Sequence, residues 1–208
     1  MIGAAHAPLV AVVDDDDAVR DSLALLLRMH GCVTREFASG EAFLAWAGAE
    51  TADCVLLDLK LGGMSGLDVQ AALADRGLAW PIVMLTAHGD VATTRAALKA
   101  GAYDFIEKPF DDELLLRTIG AATDTSAARR AQTEREARFA RDLARLTARE
   151  REVLGHVLAS RHNREIAALL DISPRTVEVY KARIMDKLRV DRLPDLIRLA
   201  LEMGVGKQ

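Results

Sequence analysis

The stretch Leu9-Val10-Ala11-Val12-Val13-Asp14-Asp15-Asp16-Asp17-Ala18-Val19 changes periodicity at its centre. Five apolar residues in a row fit a strand buried on both faces, as in a parallel sheet. From Asp17 the spacing turns helical: Val19, Leu23, Leu26, Leu27 and His30 recur on one face, and Gly31 ends the run. A buried strand feeding a helix through an acidic turn is the repeating unit of α/β sheets, and the pattern recurs to residue 122. Residues 32–37, 54–57, 82–85 and 103–106 read as further strands. Helices are expected at 39–48, with Ser39 as cap, and at 66–75, 90–100 and 111–122. Asp111, Asp112 and Glu113 suit the N-terminus of the last. Five strands alternating with five helices predict a doubly wound parallel sheet. Function in such sheets gathers at the carboxyl ends of the strands.

The remainder of the chain differs in composition. Residues 123–143 are rich in Ala, Arg and Glu and poor in large apolar residues, which predicts a linker that extends the preceding helix. The missing a and d residues argue against a long coiled coil. Residues 144–208 carry only helical patterns. Charge divides the same way: residues 1–122 hold 9 basic and 18 acidic residues, and residues 123–208 hold 18 and 13. An acidic half followed by a basic half implies two domains with different partners, the basic one suited to nucleic acid. Domains are therefore expected at 1–122 and 144–208, with the linker between. Cys32 and Cys54 lack metal-ligand spacing and read as reduced core thiols. No secretory signal is visible, and no apolar run approaches the roughly 20 residues that span a bilayer. The reading is a soluble, cytoplasmic protein without membrane attachment.

Asp14 and Asp15 follow the first strand and Asp58 follows the third, so a parallel sheet would gather their carboxylates. Clustered like charges need an offset. A hard divalent cation such as Mg²⁺ supplies one and leaves room for a phosphate. Thr86 ends the fourth strand with a hydroxyl, and Lys108 follows the fifth with a positive charge. Each alone has a plainer reading: a helix cap for Asp14–Asp17 or Thr86, a loop aspartate for Asp58, a surface lysine for Lys108, a core aromatic for Phe105. Together they describe a carboxylate nucleophile beside a phosphoryl pocket.

Val12-Val13-Asp14-Asp15-Asp16, Asp58, Leu85-Thr86-Ala87 and Lys108-Pro109-Phe110 resemble the receiver domain of two-component response regulators. The resemblance implies that Asp58 takes a phosphoryl group from a sensor histidine kinase. It implies Mg²⁺ on Asp15, Asp58 and the main-chain carbonyl of Lys60, with Asp14 acting through water. Thr86 and Lys108 would hold phosphoryl oxygens, Phe105 would be the aromatic switch, and Lys108-Pro109 would be cis. One departure stands out. Leu61-Gly62 occupies the place of the family's Met-Pro, with Gly63 next, which predicts a more flexible acceptor loop.

In the helical half, Thr147-Ala148-Arg149-Glu150 is a capping box, followed by an apolar stripe of Val153, Leu154, Val157 and Leu158. Asn163 is expected to cap a short second helix with Ile166, Ala167 and Leu170 buried. Asp171-Ile172-Ser173 reads as a turn, and Ser173-Pro174 opens a third helix. Two short helices across a tight turn make a helix-turn-helix. Val177, Tyr180 or Lys181, Ile184 and Leu188 should face the core. Arg175 and Glu178 are candidate base readers, and Val179 and Ala182 candidate contacts to thymine methyls. Thr176, Lys181, Arg183 and Lys187 are candidate phosphate contacts, and Asn163 joins the candidate DNA set.

The run from Leu146-Thr147-Ala148-Arg149-Glu150 through Asn163-Arg164-Glu165-Ile166-Ala167 and Ile172-Ser173-Pro174-Arg175-Thr176-Val177 to Met185-Asp186-Lys187-Leu188 resembles the LuxR-type helix-turn-helix. Ser160 departs from the family's usual Gly, so the first helix should end without an easy left-handed cap. Tyr180, His88-Gly89-Asp90 and Ile106-Glu107-Lys108-Pro109-Phe110 point to the FixJ branch. The two resemblances imply a response regulator that binds an operator as a phosphorylation-promoted homodimer, with recognition helices about 34 Å apart. They imply a phosphoryl acceptor with at most slow self-dephosphorylation, not an enzyme. Two rivals are a Mg²⁺-dependent phosphotransferase, disfavoured by the lack of a Walker A Gly-rich Lys motif, of a clear Asp-x-Asp nucleophile motif and of any histidine constellation, and a constitutive DNA-binding protein.

Overall fold

A computed structural model describes residues 7–87 and 91–204; His88-Gly89-Asp90 lies outside them. The chain forms β1 (Leu9–Val13), α1 (Asp17–Met29), β2 (Val33–Phe37), α2 (Gly40–Trp46), β3 (Cys54–Asp58), α3 (Gly66–Asp75), β4 (Ile82–Thr86), α4 (Val91–Lys99), β5 (Asp104–Glu107), α5 (Asp112–Ala144), α6 (Ala148–Leu158), α7 (Asn163–Leu170), α8 (Pro174–Leu188) and α9 (Leu193–Glu202). The strands make one parallel sheet in the order β2-β1-β3-β4-β5.

Alternation along each strand divides two cores. Val10, Val12, Cys54, Leu56, Val83 and Leu85 face one way, against Leu23 and Leu27 of α1 and Leu115 and Ile119 of α5. Val13, Val55, Leu57 and Met84 face the other way, against Phe43 of α2 and Val69 and Leu73 of α3. On that side Phe37, Phe43, Trp46 and Trp80 form an aromatic cluster with ring centroids 5.1 to 6.2 Å apart. Because both faces are covered at the centre of the sheet, β1, β3 and β4 carry apolar runs, while the edge strands β2 and β5 include polar and charged residues.

The chain divides into two compact units between Arg130 and Ala131, within α5. The first unit reaches eight residues past the expected boundary at 122, for an observable reason. Thr123 and Ser126 are buried, and Arg130 forms an ion pair with the buried carboxylate of Asp53. The second Asp53 oxygen accepts the Leu9 N–H at 2.8 Å. In the second unit, Phe139 and Leu143 pack with Leu146, Val153, Ile166, Val177, Ile184 and Leu196 into a separate core. Residues 123–143 are thus helical throughout, and both ends of that stretch are packed. No helix among the described residues is long and apolar enough to cross a membrane.

Helix ends follow local chemistry. Asp16 caps α1 by accepting from the Ala18 and Val19 N–H groups, and Ser39 caps α2. Thr147 and Glu150 close their capping box on α6 with bonds of 3.2 and 2.7 Å. Two expectations fail. Ser160 adopts φ 57° and supplies the left-handed turn without being glycine. Asn163 does not cap α7; His162 holds the cap position, and its N–H donates to Glu165 at 2.7 Å.

Candidate functional site

Adjacent parallel strands deliver Asp14 from β1 and Asp58 from β3 to the same sheet edge. Among the described residues, carboxylate oxygens of Asp14, Asp15 and Asp58 lie within 4.8 Å of one another. Asp14 and Asp58 are buried and Asp15 is exposed, so the cluster opens to solvent on one side. Lys108 reaches in from beyond β5. Its Nζ donates to Asp14 Oδ2 at 2.6 Å and to Asp58 Oδ2 at 2.5 Å. The Lys60 N–H donates to Asp58 Oδ1 at 3.0 Å, and the Asp16 N–H to Asp14 Oδ1 at 3.0 Å.

Burial pushes the Asp14 carboxyl above its ordinary range, against the pull of its hydrogen bonds from Lys108 and Asp16. Burial also opposes the charge on Lys108, but its bonds to Asp14 and Asp58 outweigh that and hold its pKa above the usual lysine value. Of the three clustered carboxylates, Asp14 and Asp58 thus share one ammonium. That deficit of positive charge, with an all-oxygen donor set, fits a hard divalent cation.

Thr86 ends β4 with its side chain buried. Its carbonyl accepts the Lys108 N–H at 2.6 Å, tying the two strand ends together. Phe105 on β5 pairs with Met84 and is half-buried against the aromatic face of the sheet. The Lys108–Pro109 peptide is cis.

The helical unit presents α8 after the turn Asp171-Ile172-Ser173. Val177, Ile184 and Leu188 are buried, and Tyr180 is half-buried against them. Arg175, Glu178, Val179, Ala182 and Arg183 are exposed, as a groove-reading face requires. Ser173 caps α8 through the Thr176 N–H, and its hydroxyl also meets the Thr176 hydroxyl at 2.8 Å.

Residues 10–120 match the family model described as the response regulator receiver domain, and residues 144–200 match that of bacterial regulatory proteins, luxR family. The transcriptional regulatory protein FixJ of Rhizobium meliloti is 42% identical over 197 residues, which cover 95% of this chain and 97% of that protein. FixJ of Azorhizobium caulinodans is 41% identical over 197 residues, covering 95% and 93%. The chain belongs to the response regulators with a receiver and a LuxR-type DNA-binding domain. Among solved structures, the response regulator StyR is 38% identical with a TM-score of 0.83, covering 95% of this chain and all of that one. Full-length FixJ from B. japonicum is 36% identical with a TM-score of 0.59, covering 95% and 97%. The protein is therefore a two-component transcriptional regulator, with a kinase and DNA as the partners its domains imply.

Within this response regulator, Lys187, Lys181 and Asn163, all expected at DNA, also make contacts inside the helical unit. Lys187 Nζ donates to buried Glu150 at 2.7 Å and to the Arg145 carbonyl at 3.4 Å, so it joins α8 to α6. Hydrogen bonds from Lys187 and Thr147 hold the Glu150 carboxyl below its usual range. The Asn163 side chain bridges to α8: its Oδ1 accepts from Lys181 Nζ at 3.1 Å and its Nδ2 donates to Glu178 at 3.4 Å. Sequence reading missed Glu150 as the buried partner of Lys187, because 37 residues separate them. It also missed Glu41, which accepts the Met64 N–H at 3.1 Å beside the acceptor loop.

Proposed function

We propose that Asp58 accepts a phosphoryl group from the phosphohistidine of a sensor histidine kinase. The aspartyl phosphate then promotes a homodimer that binds a roughly two-fold operator. The supporting observation is the convergence of Asp14, Asp58 and Lys108 at one open edge of the sheet. An Asp58 carboxylate oxygen attacks phosphorus, the P–N bond to the imidazole breaks, and its electron pair leaves on the ring nitrogen. Asp15, Asp58 and the Lys60 carbonyl would hold Mg²⁺, with Asp14 acting through water. The ion, when bound, neutralises charge on the phosphoryl oxygens. Lys108 transfers a hydrogen bond from Asp58 to a phosphoryl oxygen, and the Thr86 hydroxyl takes another.

The bond between the Lys108 N–H and the Thr86 carbonyl supports coupled movement of these two strand ends. Phe105 then turns inward, and the surface formed by α4, β5 and α5 is remodelled for pairing. The dimer presents two α8 helices to successive major grooves about 34 Å apart. Arg175 and Glu178 read base edges, and Val179 and Ala182 touch thymine methyls. Thr176, Lys181 and Arg183 contact phosphates, and Lys187 and Asn163 hold α8 in place. The chemistry is a stoichiometric signal with slow self-dephosphorylation rather than turnover, and it takes place in the cytoplasm.

The test is phosphorylation by acetyl phosphate with and without Mg²⁺, read on a phosphate-retarding gel for wild type and Asp58→Ala. A retarded band in wild type with Mg²⁺ alone is the expected result. Size-exclusion profiles of both samples test pairing; an unchanged profile for the phosphorylated chain would remove the dimer from this reading.

A further inference from the structure

The loop between β3 and α3 carries the acceptor, yet its middle is Leu61-Gly62-Gly63-Met64. Neither Gly62 nor Gly63 is among the positive-φ residues, so the backbone does not demand glycine there. At Gly63 the surroundings bear on the choice. A Cβ on Gly63 would stand 2.8 Å from Glu41 Oε1, and one on Gly62 would stand 3.4 Å from Asp15 Oδ2. The Glu41 carboxylate therefore lies directly over Gly63. The same oxygen accepts the N–H of Met64 at 3.1 Å.

The first turn of α2 is close to the loop in a second way. A Cβ on Gly40 would meet Val69 Cγ2 at 2.5 Å, with Leu61 Cδ1 and Met64 Cβ each 3.6 Å away. The two ends of the loop are held separately. The Gly66 N–H donates to the Leu59 carbonyl at 2.9 Å, and the Lys60 N–H donates to Asp58 at 3.0 Å.

We propose that Glu41 is a positioning residue for phosphoryl acceptance, clamping the middle of the Asp58 loop through Met64. This rests on the reading of Asp58 as acceptor. Glu41 bonds Met64 and is not one of the three clustered carboxylates. It limits the positions open to the segment that carries Asp58 and Lys60, and alignment of a nucleophile within a fraction of an ångström governs rate steeply.

The experiment uses the full chain with acetyl phosphate and Mg²⁺, and hydrogen exchange at the Met64 amide in the metal-free protein. Glu41→Ala is expected to speed Met64 exchange about tenfold and slow phosphorylation about fivefold, with the thermal midpoint little changed. Glu41→Gln keeps a carbonyl acceptor and should stay near wild type in both readouts. Gly63→Ala supplies a coupling test. In wild type its methyl displaces the Glu41 carboxylate and slows phosphorylation. In the Glu41→Ala background the methyl has room and restrains the loop, so the double variant should be no slower than Glu41→Ala alone. Unchanged Met64 exchange in Glu41→Ala, unchanged phosphorylation, or additive slowing in the double variant would each overturn the proposal. A wild-type chain that takes no phosphate while Met64 exchange still rises in Glu41→Ala would overturn the acceptor reading rather than the contact.

Discussion

The receiver and the helical unit end their helices differently. The described left-handed positions of the receiver are Gly31, Gly48, Gly77 and Gly101, whereas the helical unit turns at Ser160, Asp171 and Arg189 before reaching Gly204. A residue with a Cβ gives up roughly 1 kcal/mol in that conformation relative to glycine. Buried charge contrasts as well. The receiver sets Asp14 and Asp58 against one ammonium, an imbalance that suits an incoming cation. The helical unit sets Glu150 against Lys187 one to one, with the Thr147 N–H completing the partners. The receiver keeps relaxed turns and concentrates its unfavourable electrostatics where chemistry occurs. The helical unit neutralises its buried charge and carries its strain at its turns.

The largest test of this contrast compares two glycines. A Cβ on Gly66 would stand 2.5 Å from the Asp58 carbonyl and 3.0 Å from Leu59 Cα, both main-chain atoms that yield only by moving the acceptor. Gly66→Ala should cost the receiver about 2–4 kcal/mol by overpacking and depress phosphorylation as well. Gly155, inside α6, has no atom within 4 Å of its would-be Cβ beyond its chain neighbours and the helix's own backbone. Gly155→Ala should stabilise the helical unit by about 0.5–1 kcal/mol. Urea unfolding of both variants, followed by receiver tryptophan fluorescence and by far-ultraviolet circular dichroism, checks the two signs. A neutral Gly66→Ala would mean that the loop is looser than its packing implies.

Next in size is the Glu150 pair. Glu150→Ala removes a buried carboxylate, a capping-box partner and the acceptor for Lys187, and should cost the helical unit about 2–3 kcal/mol. Phosphorylation at Asp58 should be unaffected. Because the folded Glu150 pKa is lowered, its contribution is present above the unfolded value of about 4.3 and is lost as pH falls through the folded value. Glu150→Gln should flatten that part of the acid unfolding curve. A wild-type curve matching Glu150→Gln below pH 4.3 and above it would show that the ion pair contributes nothing.

These tests also mark how far the sequence could be read. The central strands β1, β3 and β4 were legible because burial on both faces leaves uninterrupted apolar runs, whereas the edge strands β2 and β5 mix apolar with polar and charged residues and were placed by the alternation with helices. Asp14, Asp58 and Lys108 meet because parallel strands place their carboxyl ends at one edge. The helical extension of α5 through 123–143 was legible, but how far the first unit packs along it was not. Its buried residues past 122 in the first unit are Thr123 and Ser126, small and polar like a linker, and the Arg130–Asp53 pair joins residues far apart in sequence. Asn163 was misplaced as a cap because a helix start can slide by one residue when His and Asn adjoin. The Lys187–Glu150 pair was not legible because 37 residues separate its partners.

Asn163 offers a smaller test, on the DNA side of the contrast. Its amide holds Lys181 and Glu178, so Asn163→Ala should free both without unfolding α8. Discrimination between preferred and mismatched operators should fall about fivefold, roughly 1 kcal/mol by the tenfold-per-1.4 relation. Non-specific affinity and its salt slope should change little, since most phosphate-facing cations remain. Selection from a randomised duplex pool, followed by competition binding, separates the two quantities. Equal losses in both would assign Asn163 to general affinity rather than to positioning.

The smallest effects come from the turns themselves. At Ser160 and Asp171 the backbone already makes the closing bonds, Arg161 N–H to the His156 carbonyl at 3.2 Å and Ile172 N–H to the Ala167 carbonyl at 3.0 Å. Glycine at either position keeps those bonds and removes the Cβ strain, so each substitution should stabilise the helical unit by about 0.5–1 kcal/mol. Asp171→Gly should gain less than Ser160→Gly, because aspartate tolerates the left-handed region better than most residues. Arg189→Gly should gain as much as Ser160→Gly, since the Arg189–Asp142 pair at 4.0 Å is exposed on the arginine side and contributes little. If all three variants prove neutral, the strain at these turns is offset by contacts of their own side chains, and the contrast with the all-glycine turns of the receiver would then concern composition rather than energy.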